Sequence, residues 1–363
     1  MVRNIELSYV SKVEGVCLMS DVLFPLKMVQ NFKPFKDINV WEFIEEVIKE
    51  RKANLLWYEK CYIPVSVLFN SLLPLCSEYN KNNIEFRNKL TGKVALSCIL
   101  AHWRRFKEVY KFDSDMIELL YESSDTWENT EIPTEIFKHM PFPCFYVEQK
   151  FVFHISGIDI CAPGFFVFFN EEMKKAINTN WNVKRKSDVL HLYFECENNR
   201  SVIFPFNIFN SDKVVYSINK YMNVNPNFDK DNLLQVATKA MQLVIYICSQ
   251  NAEIKENPIQ KKIMKRRENI ISDKYREIRI WDVGERIGEN IRLFEKSISS
   301  NELAPSNQGR NRPRPHVRRA HWRVYRDREG VDKDVKKVVF IHEQTINTDN
   351  PDKITAIVHN NKF

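Results

Sequence analysis

The chain has 363 residues, 44% of them hydrophobic and 12% aromatic, and its formal net charge is +7 at pH 7. A chain of this length exceeds the size at which one hydrophobic core keeps growing, so we expect two domains. The low count of eight glycines argues against a Gly-rich nucleotide-binding architecture. The hydropathy pattern indicates neither a signal peptide nor a membrane-spanning segment, so we expect a cytoplasmic protein.

The eight cysteines lie at least fifteen residues apart, which excludes the CxxC spacing of common zinc sites. Most are surrounded by Val, Ile, Leu or Phe, where a reduced thiol acts as a small apolar side chain. Their even number does not indicate disulfides in a cytoplasmic chain of this length. No metal and no small-molecule cofactor are expected.

The first 139 residues are predicted to be mainly helical. Asn39 is a suitable N-cap for a helix whose apolar residues recur at helical spacing. A second helix is expected to start at Pro64, and a third is expected to span residues 91–110. His102 lies near the end of this third helix, and we favour a structural position for it over a role as a ligand.

The composition changes after the segment Met140-Pro-Phe-Pro-Cys, because aromatic and β-branched residues become frequent. Apolar runs predict four strands, at residues 144–153, 165–169, 189–197 and 202–206. Asn198 and Asn199 predict a hairpin turn between the last two. The result is an antiparallel sheet, in which the polar residues match no ligand or catalytic-triad spacing.

Asp229 is a suitable N-cap for a long helix reaching about Glu256, and its broad apolar face should pack on the sheet. The following segment, residues 255–279, carries nine basic residues against four acids, which is typical of a solvated helix or linker.

A second helix start is indicated shortly afterwards. Asp282 and Glu285 form a capping-box pattern, so Trp281 should immediately precede a helix that runs to about Ser297. Gly284 and Gly288 are four residues apart and would allow another backbone to approach that helix closely.

A dense cationic strip extends from Arg310 to Arg328, with eight arginines and one acid, Asp327. Its formal charge therefore equals that of the whole chain, and the remainder is balanced. Guanidinium groups match phosphate or carboxylate oxygens, and aromatic rings provide faces for stacking. The strip predicts a surface for a negatively charged partner, with terminal strands expected after it at residues 335–341 and 354–358.

Two other interpretations of the strip remain open. His316 or His321 could act as a general acid/base in RNA cleavage, with Arg318 and Arg319 holding the phosphate, which would make the protein a ribonuclease. Alternatively, the arginines could clamp the carboxylates of the protein itself. We assign no catalytic residue, because the sequence contains no Walker loop, GxSxG elbow or HExxH motif.

Four segments, in this order, resemble a known family. They are Pro163-Gly-Phe-Phe-Val-Phe-Phe-Asn-Glu171, Leu243-Val-Ile-Tyr-Ile-Cys-Ser-Gln-Asn-Ala-Glu253, Trp281-Asp-Val-Gly-Glu-Arg-Ile-Gly288 and Arg314-Pro-His-Val-Arg-Arg-Ala-His-Trp-Arg323. On these segments, roughly residues 140 to 330, the chain resembles the type V-A anti-CRISPR proteins that are second in that inhibitor series, with their phage and mobile-element relatives. After Lys337 it lacks the Trp and Pro-Pro expected of relatives.

The resemblance implies a non-enzymatic inhibitor acting in the cytoplasm of a bacterial host. It would recognise a peptide of the type V-A CRISPR effector nuclease, as the nascent chain, and loss of the effector mRNA would follow. A preformed groove would bind the peptide, and contact with RNA or the ribosome would use the basic strip.

The predicted fold class is α+β, with a helical N-terminal region over residues 1–139. Residues 140–363 would form an antiparallel sheet packed on a long helix, followed by the basic segment. The predicted partner-binding residues are Arg314, His316, Arg318, Arg319, His321, Trp322, Arg323, Tyr325, Trp281, Glu285 and Arg286. Among them, the arginines of the strip would contact phosphate or acidic side chains, and Trp322 and Tyr325 would stack. Trp281, Glu285 and Arg286 would shape a neighbouring groove or hold the strip in place.

Overall fold

The computed structural model describes residues 23–51, 55–56, 62–75, 84–123, 132–155, 157–170, 175–176, 188–197, 200–208, 213–224, 230–257, 277–300, 316–318, 320–326, 335–342 and 344–346. The α-helices in these ranges are α1 (Phe24–Asn31), α2 (Val40–Arg51), α3 (Val65–Leu72), α4 (Ile84–Phe106), α5 (Ser114–Glu122), α6 (Val214–Val224), α7 (Lys230–Cys248) and α8 (Glu285–Ser300).

The strands before α6 are β1 (Leu55–Leu56), β2 (Glu108–Phe112), β3 (Cys144–Glu148), β4 (Phe151–Ile155), β5 (Ile158–Ala162), β6 (Phe165–Asn170), β7 (Lys175–Ala176), β8 (Asp188–Cys196) and β9 (Arg200–Ile208). The later strands are β10 (Ile254–Glu256), β11 (Arg279–Val283), β12 (His316–Arg318), β13 (His321–Arg326), β14 (Val335–Ile341) and β15 (Gln344–Ile346).

A seven-stranded sheet in the order β10-β11-β2-β3-β6-β8-β9 forms the centre of the described residues. The segment from β3 to β9 is antiparallel, as predicted. Strand β2, however, pairs in parallel with both β3 and β11, so the whole sheet is mixed. Parallel neighbours require long crossover connections, and hairpin signals in the sequence do not reveal them.

The two faces of the sheet are covered by different helices. Side chains alternate along each strand, so that Val109 and Tyr146 lie on one face while Tyr110 and Phe145 lie on the other. The first face packs against α2, α3 and α4, and the second packs against α5, α6 and α7. The predicted α+β class, with a helical N-terminal region and a long helix packed on the sheet, is confirmed.

Several helix boundaries follow directly from local sequence. The Asn39 side chain accepts the backbone N–H of Trp41 at 3.2 Å, so it caps α2 as expected. Pro64 is the N-cap of α3, one residue before the helix begins. The helix predicted over residues 91–110 instead ends at Phe106, since Lys107 adopts a left-handed φ of 52° and β2 follows.

The long helix also ends earlier than predicted, at Cys248, and residues 254–256 form an edge strand of the sheet. Trp281 lies within β11 rather than just before a helix. The predicted turn at Asn198 and Asn199, most of the basic segment 255–279, and the strand at residues 354–358 lie outside the described residues.

The proposed division of the chain at residue 139 remains a prediction, although β2 from the first region pairs within the central sheet. No helix among the described residues has the length and apolar character needed to cross a bilayer. In the same ranges, no three His, Cys, Asp or Glu side chains are grouped as metal ligands would be.

His102 is a buried hydrogen-bonding residue. Its Nδ1–H donates to the Cys98 carbonyl at 2.7 Å, and its Nε2 accepts the Tyr62 backbone N–H at 2.9 Å. Only a neutral imidazole can donate from one nitrogen and accept at the other. Burial, the largest cause, lowers the pKa of His102 from 6.5 to about 4; the hydrogen bond to Cys98 opposes this change, and the Arg105 charge contributes to it.

Protonation of His102 should therefore destabilise the fold at mildly acidic pH. The unfolded chain binds this proton more tightly than the folded chain, so stability falls as the pH decreases from about 6.5 to about 4. Between these pH values, we expect the free energy of unfolding of His102→Gln to fall by about 3 kcal/mol less than that of the original protein. This figure takes about 1.4 kcal/mol per pKa unit. Urea unfolding of both proteins between pH 4 and 7 measures the difference, and parallel pH profiles would contradict it.

Candidate functional site

Two of the four segments that carry the family resemblance meet at the ring of Phe340 in β14, and a third, Trp281–Gly288, is joined to them through Glu253. The Trp322 ring of β13 lies 4.9 Å from the Phe340 ring, and the Tyr246 ring of α7 lies 6.0 Å from it. The His342 ring lies 5.4 Å from it. The end of α7, the start of α8 and the β13–β14 hairpin therefore form one junction.

Asn251 attaches the hairpin to the turn after α7. Its side-chain amide donates to the Phe340 carbonyl at 2.7 Å and accepts the Phe340 N–H at 3.0 Å. The neighbouring Gln250 N–H donates to the Val338 carbonyl at 3.3 Å. The Asn251 amide thus takes the place of a paired strand along this edge of β14.

Glu253 attaches the same turn to α8. Its carbonyl accepts the Gly284 N–H at 3.0 Å, and its Oε1 accepts the Arg286 N–H at 3.2 Å. A carboxylate here satisfies N–H groups that the first helical turn leaves unpaired, and it lies at the positive end of the helix dipole. The predicted capping box is therefore wrong, because α8 begins only at Glu285, and Asp282 lies in β11, where it accepts the side-chain amide of Asn257.

The junction contains three buried polar atoms that have no hydrogen-bond partner: Glu253 Oε2, Trp322 Nε1 and His342 Nδ1. Burial lowers the pKa of His342; the Glu253 carboxylate opposes this change, and the Arg286 guanidinium adds to it. Glu253, Arg286 and His342 are therefore electrostatic neighbours.

The outward side of the hairpin carries a basic face, defined by Arg323, Tyr325 and Lys337. The guanidinium carbon of Arg323 lies 4.9 Å from the Tyr325 ring centre, and Lys337 Nζ lies 4.7 Å from it. Tyr325 and Lys337 are direct cross-strand partners. Both cations are held beside an aromatic ring, with Arg323 and Lys337 exposed to solvent.

The predicted stacking of Trp322 on a partner does not fit its position. Side chains alternate across β13, so Arg323 and Tyr325 point outward while Trp322 points inward and is only 5% exposed. Its ring packs on Phe340 in the main core. Trp322 is available only to a group that enters the junction.

The remaining predicted partner-binding residues lie in different parts of the structure. Trp281 stacks on Tyr110, and its Nε1 donates to the Glu108 carboxylate at 2.6 Å, so its described contacts lie within the sheet. Glu285 begins α8, and the Arg286 side chain is exposed beside the junction. His321 lies in β13 with the outward-facing set of residues.

The other members of the strip are only partly described. The backbones of His316 and Arg318 form β12, while Arg314 and Arg319 lie outside the described residues. The ribonuclease and clamp interpretations remain predictions, because both depend on Arg318 and Arg319. The described contact of Arg323 is with the Tyr325 ring rather than with a carboxylate of the protein.

Sequence reasoning did not identify the residues that assemble the junction. Asn251, Glu253, Phe340 and His342 interact with segments about 30 to 90 positions away in the chain, as for the Asn251–Phe340 separation of 89 residues. Lys337 was missed although its partner Tyr325 is on the neighbouring strand. The polar run Ser249-Gln-Asn-Ala-Glu253 after an apolar helix was the available signal.

Comparisons with known proteins agree with this architecture. The model of the AcrVA2-like family, described as the anti-CRISPR type V subtype A2 family, matches residues 110–344, more than half of the chain. A crystal structure of AcrVA2 superposes with a TM-score of 0.56 and 17% identity, covering 89% of this chain and 95% of that chain. The protein FinQ of Escherichia coli is 24% identical over 251 residues, which are 64% of this chain and 69% of FinQ.

Proposed function

We propose, from the premise that this chain belongs to the AcrVA2-like family of type V anti-CRISPR proteins, that it recognises a segment of the type V-A effector nuclease during translation. Loss of the effector mRNA then lowers the amount of nuclease in the bacterial host cytoplasm. The protein acts here as an adaptor rather than as a catalyst. Its basic strip contacts the nascent segment, with RNA or the ribosome beside it.

The observation that supports this proposal is the basic face of the hairpin. Arg323 and Lys337 are exposed and flank one aromatic ring, so their positive charge is directed toward solvent. Such a face attracts acidic side chains or phosphate, and the attraction weakens with increasing salt. Membership of an anti-CRISPR family supports a CRISPR effector as the acidic partner that this surface would contact.

Removal of the two exposed cations should weaken inhibition without unfolding the protein. We expect the Arg323→Ala, Lys337→Ala double variant to bind ribosomes carrying nascent effector about tenfold less tightly, which corresponds to about 1.4 kcal/mol. Effector mRNA should then persist in cells that carry the double variant. Co-sedimentation with stalled ribosomes and quantitative reverse transcription measure the two effects.

The matched control removes the same charge elsewhere. Lys49 and Lys150 are exposed and lie in α2 and between β3 and β4, so the Lys49→Ala, Lys150→Ala variant should bind and inhibit like the original protein. Equal losses in both double variants would indicate a general charge effect. Full inhibition by the Arg323→Ala, Lys337→Ala variant would show that the basic face is not needed for inhibition.

A further inference from the structure

A second basic region lies in the N-terminal helices, outside residues 110–344 that the family model matches. Residues 23–106 contain thirteen Lys and Arg against eight Asp and Glu, an excess of five positive charges. The cationic strip has an excess of seven, which equals the net charge of the whole chain, so the rest of the sequence is net negative. The chain therefore concentrates its positive charge in two regions that are far apart in sequence.

Helix α4 carries two of the N-terminal cations on one face. Lys93 and Arg104 are eleven residues apart, close to three helical turns, so they lie on the same side of α4, about 16 Å apart along its axis. Lys93 Nζ lies 5.7 Å from the centre of the Phe35 ring, and the guanidinium carbon of Arg104 lies 5.3 Å from that of the Trp41 ring. Both rings are partly buried against the core beneath them.

Three exposed cations extend this surface. The guanidinium carbon of Arg105 lies 4.8 Å from the centre of the Tyr62 ring. Lys33 and Lys36 lie in the loop between α1 and α2, on either side of Phe35 in the sequence. We define the N-terminal basic surface by its five cations: Lys33, Lys36, Lys93, Arg104 and Arg105.

Neighbouring acids reduce the charge of this surface only in part. Asp37, Glu42 and Glu45 are exposed in the same loop and in α2, and Glu45 also accepts the hydroxyl of Tyr62. Five cations against three acids leave an excess of two positive charges in this area.

The aromatic rings give this charge a fixed geometry. A cation held over a ring loses less conformational freedom when an anion binds it, which favours binding. Cations spread along a rigid helix suit a chain of regularly spaced negative charges better than a single small anion. The phosphates of a nucleic-acid strand provide such a chain.

We infer that the N-terminal basic surface binds the phosphate backbone of single-stranded RNA. The choice of RNA rests on the proposed function, because the mRNA that is lost is a single strand held at the same ribosome as the nascent segment. The basic face of the hairpin then contacts the effector segment. Two contacts made by one chain strengthen each other, because the first raises the effective concentration of the second.

The test measures the fluorescence anisotropy of a labelled oligo(U) RNA that is titrated with the full chain at several salt concentrations. We expect the Lys33→Ala, Lys36→Ala, Arg105→Ala variant to bind the RNA about tenfold less tightly. The slope of log affinity against log salt should become shallower by about two, since each phosphate contact on a single strand contributes about 0.7. Circular dichroism checks that the variant is folded.

The matched control removes three exposed lysines elsewhere. The Lys138→Ala, Lys150→Ala, Lys220→Ala variant should bind the RNA with the affinity and the salt slope of the original protein. The hairpin variant Arg323→Ala, Lys337→Ala should also bind the RNA normally, since it changes the other surface.

The outcomes separate this inference from the proposed function. The inference is wrong if the RNA does not bind, or if the N-terminal variant binds it like the original protein. Loss of RNA binding in the hairpin variant alone would place the RNA contact on the hairpin instead. Tighter binding of an oligo-aspartate peptide of equal charge would overturn the choice of RNA. If RNA binds as expected but no nascent effector is captured, the proposed function fails and the RNA surface stands.

Discussion

Gly284→Ala is expected to lower the free energy of unfolding by about 2–5 kcal/mol. Gly284 has a φ of +76°, and an added Cβ would lie 2.5 Å from Met116 Cγ and 2.9 Å from Met116 Cβ. The left-handed backbone costs an L residue about 1–2 kcal/mol, and overpacking adds about 1–3 kcal/mol. Met116 cannot retreat easily, because it is completely buried in the first turn of α5.

Gly157 offers a matched control for this prediction. It has the same φ of +76°, but nothing lies within 4 Å of its added Cβ. Gly157→Ala should therefore lower the free energy of unfolding only by the cost of the left-handed backbone conformation, about 1–2 kcal/mol. Urea unfolding followed by tryptophan fluorescence compares the two variants. Equal losses would mean that the contact between α5 and the start of α8 is not as tight as described.

Glu108→Ala is expected to lower the free energy of unfolding by about 2–4 kcal/mol. Glu108 is fully buried, accepts the Trp281 indole N–H at 2.6 Å and pairs with the Arg279 guanidinium. Removing one partner of a buried ion pair leaves the other charge uncompensated, at a cost of about 3–5 kcal/mol. The partial exposure of Arg279 reduces that cost, because water can solvate its guanidinium.

A second ion pair, between Lys111 of β2 and Glu148 of the neighbouring β3, provides the comparison. Lys111 Nζ lies 2.8 Å from a carboxylate oxygen of Glu148, and both side chains are partly exposed. Lys111→Ala should therefore change stability by less than about 1 kcal/mol. Denaturant midpoints of the two variants test the difference. A small effect for Glu108→Ala would show that the Arg279–Glu108 pair contributes little beyond its packing.

Elements with strong local signals were predictable from the sequence. Asn39 and Pro64 mark helix starts by capping and by backbone geometry, and the aromatic runs of β6 and β8 are typical of buried strands. Strand β2 was missed because its apolar residues continue those of α4. Its partners β3 and β11 are distant in the chain, and no local pattern reports a parallel pairing.

The candidate site was only partly predictable, for a similar reason. The density of arginine identified the strip, and strand alternation explains why Arg323 and Tyr325 face outward. The same alternation places Trp322 in the core. This position could not be predicted without knowing that the segment is a strand. Glu253 caps a helix that begins 32 residues later, at Glu285, and such a remote cap leaves no local sequence signature.

The position of β11 between β10 and β2 has a consequence for biogenesis. Arg279 and its partner Glu108 are 171 residues apart, so the central pairing has a high contact order. The ribosome must therefore release most of the polypeptide before the sheet can close. Folding is accordingly expected to be slow and largely post-translational, and early fragments of the chain would expose an unfinished β-edge that chaperones must protect.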